Sequence, residues 1–230
     1  MKLKSLFGIF APPVCAVCGA PLVGAEACIC TACEMELERP RIWEAGRGAL
    51  WQRVARFRAP IRGVAAWTDY SRDSTAGRLI REGKYGGMPA IIRGLGHIEG
   101  RRLRTLGCCP ELDVLLPVPM YWLKRLRRGY NQAEVLARVI GEELDVPVGD
   151  NLVAVRSHGP RARQGATDRL DRAHTNSLRV RHGGELTGLD IAVVDDIITT
   201  GATLSEAVDA VMEAEPRSVT LITLAATVHI

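Results

Sequence analysis

Hydrophobic and polar positions along this chain change rhythm most sharply at residues 191–212. Ile191-Ala192-Val193-Val194 is an unbroken apolar run, the mark of a strand buried on both faces, and it ends in Asp195-Asp196. A small, hydroxyl-rich stretch, Thr199-Thr200-Gly201-Ala202-Thr203, follows, and then Leu204, Val208, Val211 and Met212 recur at helical spacing. The reading is strand, loop, helix. Elsewhere the same two rhythms alternate. Strands are expected over 64–70, 113–119 and 219–224, and helices over 76–84, 88–106 and 131–144, the last with Ala133, Val135, Leu136, Val139, Ile140 and Leu144 on one broad apolar face. Strands alternating with helices predict an α/β fold with a doubly wound parallel sheet.

In such a sheet, ligands bind outside the carboxyl ends of strands, where the next helix offers unpaired N–H groups and a positive dipole end. A loop of threonines and a glycine at that point is a candidate phosphate cradle. Two carboxylates beside it would repel the phosphate unless a ribose or a divalent cation intervenes. Carboxylates accept hydrogen bonds from sugar hydroxyls, and Mg²⁺ takes carboxylate, water and phosphate oxygens. The ligand class implied is a sugar phosphate with Mg²⁺. The plainer reading is an acidic loop capping an ordinary helix, which explains one polar residue but not the ordered set.

Val193 to Leu204 resembles the phosphoribosyl pyrophosphate (PRPP) motif of type I phosphoribosyltransferases. The resemblance implies that Asp195 and Asp196 hold the ribose hydroxyls while Thr199, Thr200, Gly201, Ala202 and Thr203 enclose the 5′-phosphate. Asp113 to Pro119 resembles the strand and pyrophosphate loop of that family, which places Pro117 and Val118 at the substrate. The run Arg128-Gly129-Tyr130-Asn131-Gln132-Ala133-Glu134, with Gln164 and Arg172 to Asn176, resembles the ComF branch. Lys84 matches a family lysine near the end of a helix. Phosphoribosyl transfer relies on positioning and on neutralising the leaving pyrophosphate. Asp195, Asp196, Arg127 and Arg128 are therefore the expected catalytic set, with Mg²⁺ accompanying PRPP. The acceptor, and whether turnover occurs, are not legible. The ComF resemblance implies a part in DNA uptake during natural competence, with single-stranded DNA and the uptake machinery as partners. The alternatives are a phosphoribosyltransferase acting on a small acceptor and a non-catalytic PRPP sensor.

The chain has 230 residues, 47% of them apolar, and five of its seven cysteines cluster near the start. Cys15-x-x-Cys18 and Cys30-x-x-Cys33 are two knuckles, and two knuckles complete one closed tetrahedral zinc site of structural type. Cys28 is a spare that competes with Cys30 for a ligand position, and Cys108 and Cys109 read as packing residues. No apolar stretch approaches the ~20 residues of a membrane span, and Pro12 and Pro13 cut the first apolar run below signal-peptide length. The expected location is cytoplasmic. Three regions follow: a four-cysteine, zinc-ribbon-like module over 1–40, a basic and aromatic connecting segment over 41–62, and a phosphoribosyltransferase-like domain over 63–230.

Residues 39–62, the connecting segment and its approach, interleave seven arginines with Trp43, Trp51 and Phe57. Arginine neutralises phosphate and aromatic rings stack on bases, which makes Trp43, Arg53 and Arg56 a candidate nucleic-acid surface. The spacing of Trp51, Val54 and Phe57 equally fits an amphipathic helix packed on the main domain. The net charge of +4 permits either. Residues 151–165, polar and basic, read either as a loop closing over the substrate or as an ordinary connection.

Overall fold

A computed structural model describes residues 13–37, 42–57, 59–107, 109, 111–155 and 177–227. A five-stranded sheet in the order β1-β2-β7-β6-β3 organises the chain. Its strands are β1 (Ile42–Glu44), β2 (Ile61–Asp69), β3 (Val114–Pro117), β6 (Asp190–Ile198) and β7 (Ser218–Ala226). All neighbours run parallel except β1, which pairs antiparallel with β2, Trp43 opposite Ala65. Two short strands, β4 (Leu152–Ala154) and β5 (Leu178–Val180), form a separate antiparallel pair that period-two patterning did not reveal, being only three residues each.

Alternation along the central strands divides the core in two. Ala65, Trp67, Ala192, Val194, Ile222 and Leu224 face one layer, where α3 (Thr75–Tyr85), α4 (Pro89–Leu106) and α6 (Gln132–Leu144) contribute Leu79, Ile92 and Leu136. Val64, Ala66, Ile191, Val193, Val219 and Leu221 face the other, against Leu50 and Val54 of α2 (Ala49–Val54) and Leu204, Val208 and Val211 of α7 (Ala202–Met212). Helices on both faces of a mostly parallel sheet are the doubly wound arrangement expected from the rhythm of the sequence. The helix after β3 that packs on the sheet, α6, covers the first face. The helix after β6 covers the second. A crevice therefore opens between the carboxyl ends of these two adjacent strands.

The N-terminal module docks on the first face. Cys28 and Ile29 are buried there, and Cys28 lies so close to Gly94 of α4 that a Cβ on that glycine would sit 2.4 Å from the cysteine's own Cβ. Thr31–Glu36 forms α1. Glu26 holds the turn before it by accepting from the backbone N–H groups of Val23, at 2.9 Å, and Thr31, at 2.7 Å. Residues 42–57, within the stretch expected to connect two units, supply the sheet's edge strand and a helix of its second layer. Among the described residues no helix is long and apolar enough to cross a membrane.

Candidate functional site

Asp195 and Asp196 lie within the C-terminal half of β6, which runs on to Ile198. The loop 199–201 follows and α7 begins at Ala202. Gly201 caps that helix in the left-handed region, φ 80°, which a side chain would resist, and a Cβ there would meet the Phe57 ring at 3.3 Å. Asp195, Asp196, Thr199 and Thr203 line a cleft of about 390 Å³ together with Val118, Lys84, Lys124 and Arg128. Lys84 reaches in from the end of α3, and its Nζ stands 2.8 Å from the Asp196 carboxylate.

The opposite wall is the loop after β3. Asn131 caps α6 by accepting from the Ala133 N–H and donates from Nδ2 to the Val118 carbonyl at 3.0 Å, which ties this loop to the helix. Residues 122–128, a basic stretch without an assigned element on sequence grounds, form a short helix, α5 (Trp122–Arg128), that buries none of its residues. Arg128 at its end is held from two sides. Its Nη1 donates to Gln132 Oε1 at 3.1 Å, and its Nη2 donates to the Tyr85 hydroxyl at 3.2 Å while the guanidinium lies 4.7 Å from the centre of that ring.

Burial, and then the neighbouring Asp196 carboxylate, push the Asp195 carboxyl from its ordinary 3.8 up to about 7. The Asp196 N–H, which donates to Asp195 Oδ1 at 2.8 Å, and the Lys84 ammonium both work against that rise. The arrangement offers hydrogen-bond donors on one rim, carboxylate acceptors in the middle and cations on the other rim.

Most residues singled out in the sequence meet at this cleft, with two differences. Pro117, Thr200, Gly201 and Ala202 belong to the strand end and loop that frame it without lining it, and Arg127 turns into an adjoining groove with Lys84, Tyr85, Gly87, Lys124 and Arg128. Asn131 and Gln132, from the run that resembles the ComF branch, also line the cleft, as do Tyr70, Ser177 and Leu178, which carried no sequence signal of their own. The expected closing loop of 151–165 lies, from residue 156, outside the described residues, as do Gln164 and Arg172 to Asn176.

The connecting segment engages the cleft from behind. Arg53 Nη1 donates to the Thr199 carbonyl at 2.6 Å across 146 residues of chain. The Trp43 ring lies so close to β2 that a Cβ on Gly63 would stand 2.4 Å from its Cη2. Two of the three residues considered as a nucleic-acid surface therefore have intramolecular partners; Arg56 is exposed. The segment packs on the main domain as the amphipathic-helix alternative expects, with Leu50 and Val54 fully buried and Trp51 beside them, but the helix ends at Val54 and Phe57 packs from beyond it.

The sulfurs of Cys15, Cys18, Cys30 and Cys33 all lie within 4.8 Å of one another, with 3.7 Å between those of Cys18 and Cys30. Tetrahedral Zn–S bonds of ~2.3 Å require sulfurs ~3.8 Å apart, so the four thiols fit a metal ion of that kind. Burial pushes the Cys15 thiol up, but backbone N–H groups of Cys18, Cys30 and Val17 outweigh it and bring the thiol down to about 6, as suits a thiolate ligand. Cys28 stands apart from the cluster, and its burial pushes its thiol up to about 12.

Comparison with known proteins agrees with this geometry. The phosphoribosyl transferase domain family matches residues 126–229. The chain is 36% identical over 95 residues to Competence protein F of Haemophilus influenzae, covering 41% of this chain and 42% of that protein. It is 24% identical over 207 residues to DNA utilization protein YhgH of Salmonella typhi, covering 85% and 88%. With Competence protein ComFC of Bacillus subtilis it shares 30% identity over 100 residues, covering 44% and 38%. The aligned stretches thus span less than half the length of two of these curated relatives and most of the third.

Proposed function

We propose that this chain, matched over residues 126–229 by the phosphoribosyl transferase domain family and similar to two competence proteins and a DNA utilization protein, is a ComF-family protein whose cleft binds PRPP and which serves DNA uptake during natural competence in the cytoplasm. The supporting observation is the ordered cleft itself: Thr199 in the loop before α7 and Thr203 in that helix's first turn, Asp195 and Asp196 near the end of β6, and Lys84, Lys124 and Arg128 facing them. In this reading the 5′-phosphate sits on the loop Thr199, Thr200, Gly201, Ala202 and Thr203. The α7 N–H groups point at that position. Asp195 and Asp196 accept from the ribose hydroxyls.

Lys84 and Asp196 are paired before the ligand arrives. A pyrophosphate gives Lys84 a stronger anionic partner than the carboxylate, so binding releases Asp196 to the ribose. Arg128, pre-oriented by Gln132 and Tyr85, neutralises the far end of the pyrophosphate beyond Pro117 and Val118. Mg²⁺ would enter with PRPP and neutralise its phosphate oxygens. Zinc on Cys15, Cys18, Cys30 and Cys33 is structural, because four sulfurs leave no open position.

Calorimetric titration with Mg·PRPP tests the site. Asp195→Ala/Asp196→Ala should weaken binding about 100-fold or more, as loss of charged hydrogen bonds costs about 1.5–3 kcal/mol each and the double variant removes two acceptors. Equal affinity of variant and wild type refutes it. Elemental analysis should find about one zinc per chain in chelator-free protein, and none in Cys15→Ser/Cys18→Ser.

A second reading, transfer of ribose 5-phosphate to a small acceptor, draws support from the part of the cleft wall that has no charge to offer a phosphate, Tyr70, Ala154 and Leu178. Pyrophosphate release from PRPP, measured with and without single-stranded DNA, separates turnover from sensing.

A further inference from the structure

Lys84, Tyr85, Gly87, Lys124, Arg127 and Arg128 enclose a groove of about 530 Å³ beside the cleft. Lys84, Lys124 and Arg128 border both spaces, so the groove continues the pyrophosphate end of the cleft outward. Helical geometry explains how α5 makes it. Positions 124, 127 and 128 are related by three and four residues and share one face, whereas Arg125 turns away to Glu134, 3.4 Å distant. Among the described residues no carboxylate pairs with Lys124, Arg127 or Arg128.

Unpaired cations gathered round a groove demand anions, and the groove also has an aromatic side. Tyr85 is 70% exposed and carries the Arg128 guanidinium over one face. Its other face is left for a planar partner. PRPP alone does not explain this set, since Arg127 and Tyr85 line the groove and not the cleft. Phosphate for the cations and a planar ring for Tyr85 together describe a nucleotide.

We propose that this groove is a second ligand subsite that holds a nucleotide, free or as part of a single strand, with its phosphate on Lys124, Arg127 and Arg128 and its base stacked on Tyr85. The inference rests on the PRPP reading for what fills the adjoining cleft, and it moves nucleic-acid contact from the Trp43 segment to α5. Arg127 becomes a groove residue. A nucleotide bound there has its phosphate beside the pyrophosphate end of PRPP, and the two ligands share Lys124 and Arg128.

The test uses the full-length, zinc-loaded protein and three probes in separate titrations: thymidine monophosphate, a labelled oligothymidylate of about ten nucleotides, and Mg·PRPP. Arg127→Gln should weaken the nucleotide probes at least tenfold, several times more than it weakens Mg·PRPP. Tyr85→Leu, which keeps an apolar neighbour for Arg128 but removes the ring, should likewise weaken them about tenfold, in line with base stacking on aromatic side chains. For the oligonucleotide, Arg127→Gln should also flatten the logarithmic salt dependence by about 0.7, one phosphate contact on a single strand. If only the oligonucleotide binds, the source is a strand; if the monophosphate binds comparably, it is a free nucleotide; either result supports the subsite. Unchanged affinity of both probes in Arg127→Gln and Tyr85→Leu, or no binding of either probe to a wild type that binds Mg·PRPP, overturns it while the cleft assignment stands. A wild type that fails to bind Mg·PRPP is a failure of the cleft, read out independently of the groove.

Discussion

Helices α2 and α5 have nearly the same ingredients and opposite fates. Each is six or seven residues long, each contains a tryptophan and a leucine, and each has arginine in its last turn. In α2, Leu50 and Val54 are wholly buried against the sheet, and Arg53 is drawn in to hold the Thr199 carbonyl. In α5 every residue is exposed or half-exposed, Leu126 to 75%, and the cations face open grooves. Basic and aromatic composition therefore does not distinguish a packing helix from a binding helix. What decides is whether the apolar residues have a surface to cover. α2 has the face of β2 beneath it.

The largest effect that would break this contrast is in stability. Leu50→Ala empties a fully buried position and should cost about 2–5 kcal/mol in denaturant unfolding, whereas Leu126→Ala on α5 should stay within about 0.5 kcal/mol. Similar losses for the two would dissolve the distinction. Next, Arg53→Gln should weaken Mg·PRPP by roughly tenfold, because a charge-assisted hydrogen bond worth about 1.5 kcal/mol or more positions the Thr199 loop. If Arg53 instead belongs to a nucleic-acid surface, the variant will lose oligonucleotide affinity and keep PRPP affinity. The smallest effect concerns Arg56, which is exposed and touches neither cleft nor groove. Arg56→Gln should leave oligonucleotide binding at physiological salt within about twofold, as expected of a solvated charge, and a tenfold loss in a retention assay would return nucleic-acid contact to the α2 side.

How legible each part was follows from how local its cause is. The β6–loop–α7 unit could be read because its strand, acids, glycine turn and helix occupy one continuous stretch, 191–212, in which the apolar period changes. The four cysteines could be read because knuckle spacing is local too. The strand outlasts its apolar run: pairing of Asp195 with Thr223 and of Ile197 with Ala225 of β7 carries β6 beyond the two acids. The Lys84–Asp196 pair, the Arg53–Thr199 bond and the Trp43–Gly63 contact depend on the chain folding back over long separations, and no period or motif encodes them. Helix α5 escaped for the opposite reason. With no buried face it has no apolar period to read.

Stability and binding are set against each other at Asp195. Its carboxyl rests at about 7 in the folded protein against an ordinary 3.8, so ionisation disfavours the fold. That cost is absent below pH ~4, grows between ~4 and ~7, and is complete above ~7. Asp195→Asn should accordingly gain stability over wild type as the pH rises through this window. Ribose hydroxyls, however, need the ionised acceptor.

The most direct measurement is therefore the affinity for Mg·PRPP from pH 5.5 to 8.5, in wild type and Asp195→Asn. The wild type should bind more tightly as the pH passes through about 7 and the variant should bind weakly without that rise. A rise of the same size in both proteins, or wild-type affinity in Asp195→Asn across the range, would contradict the assignment of the β6 carboxylates to the ribose of PRPP.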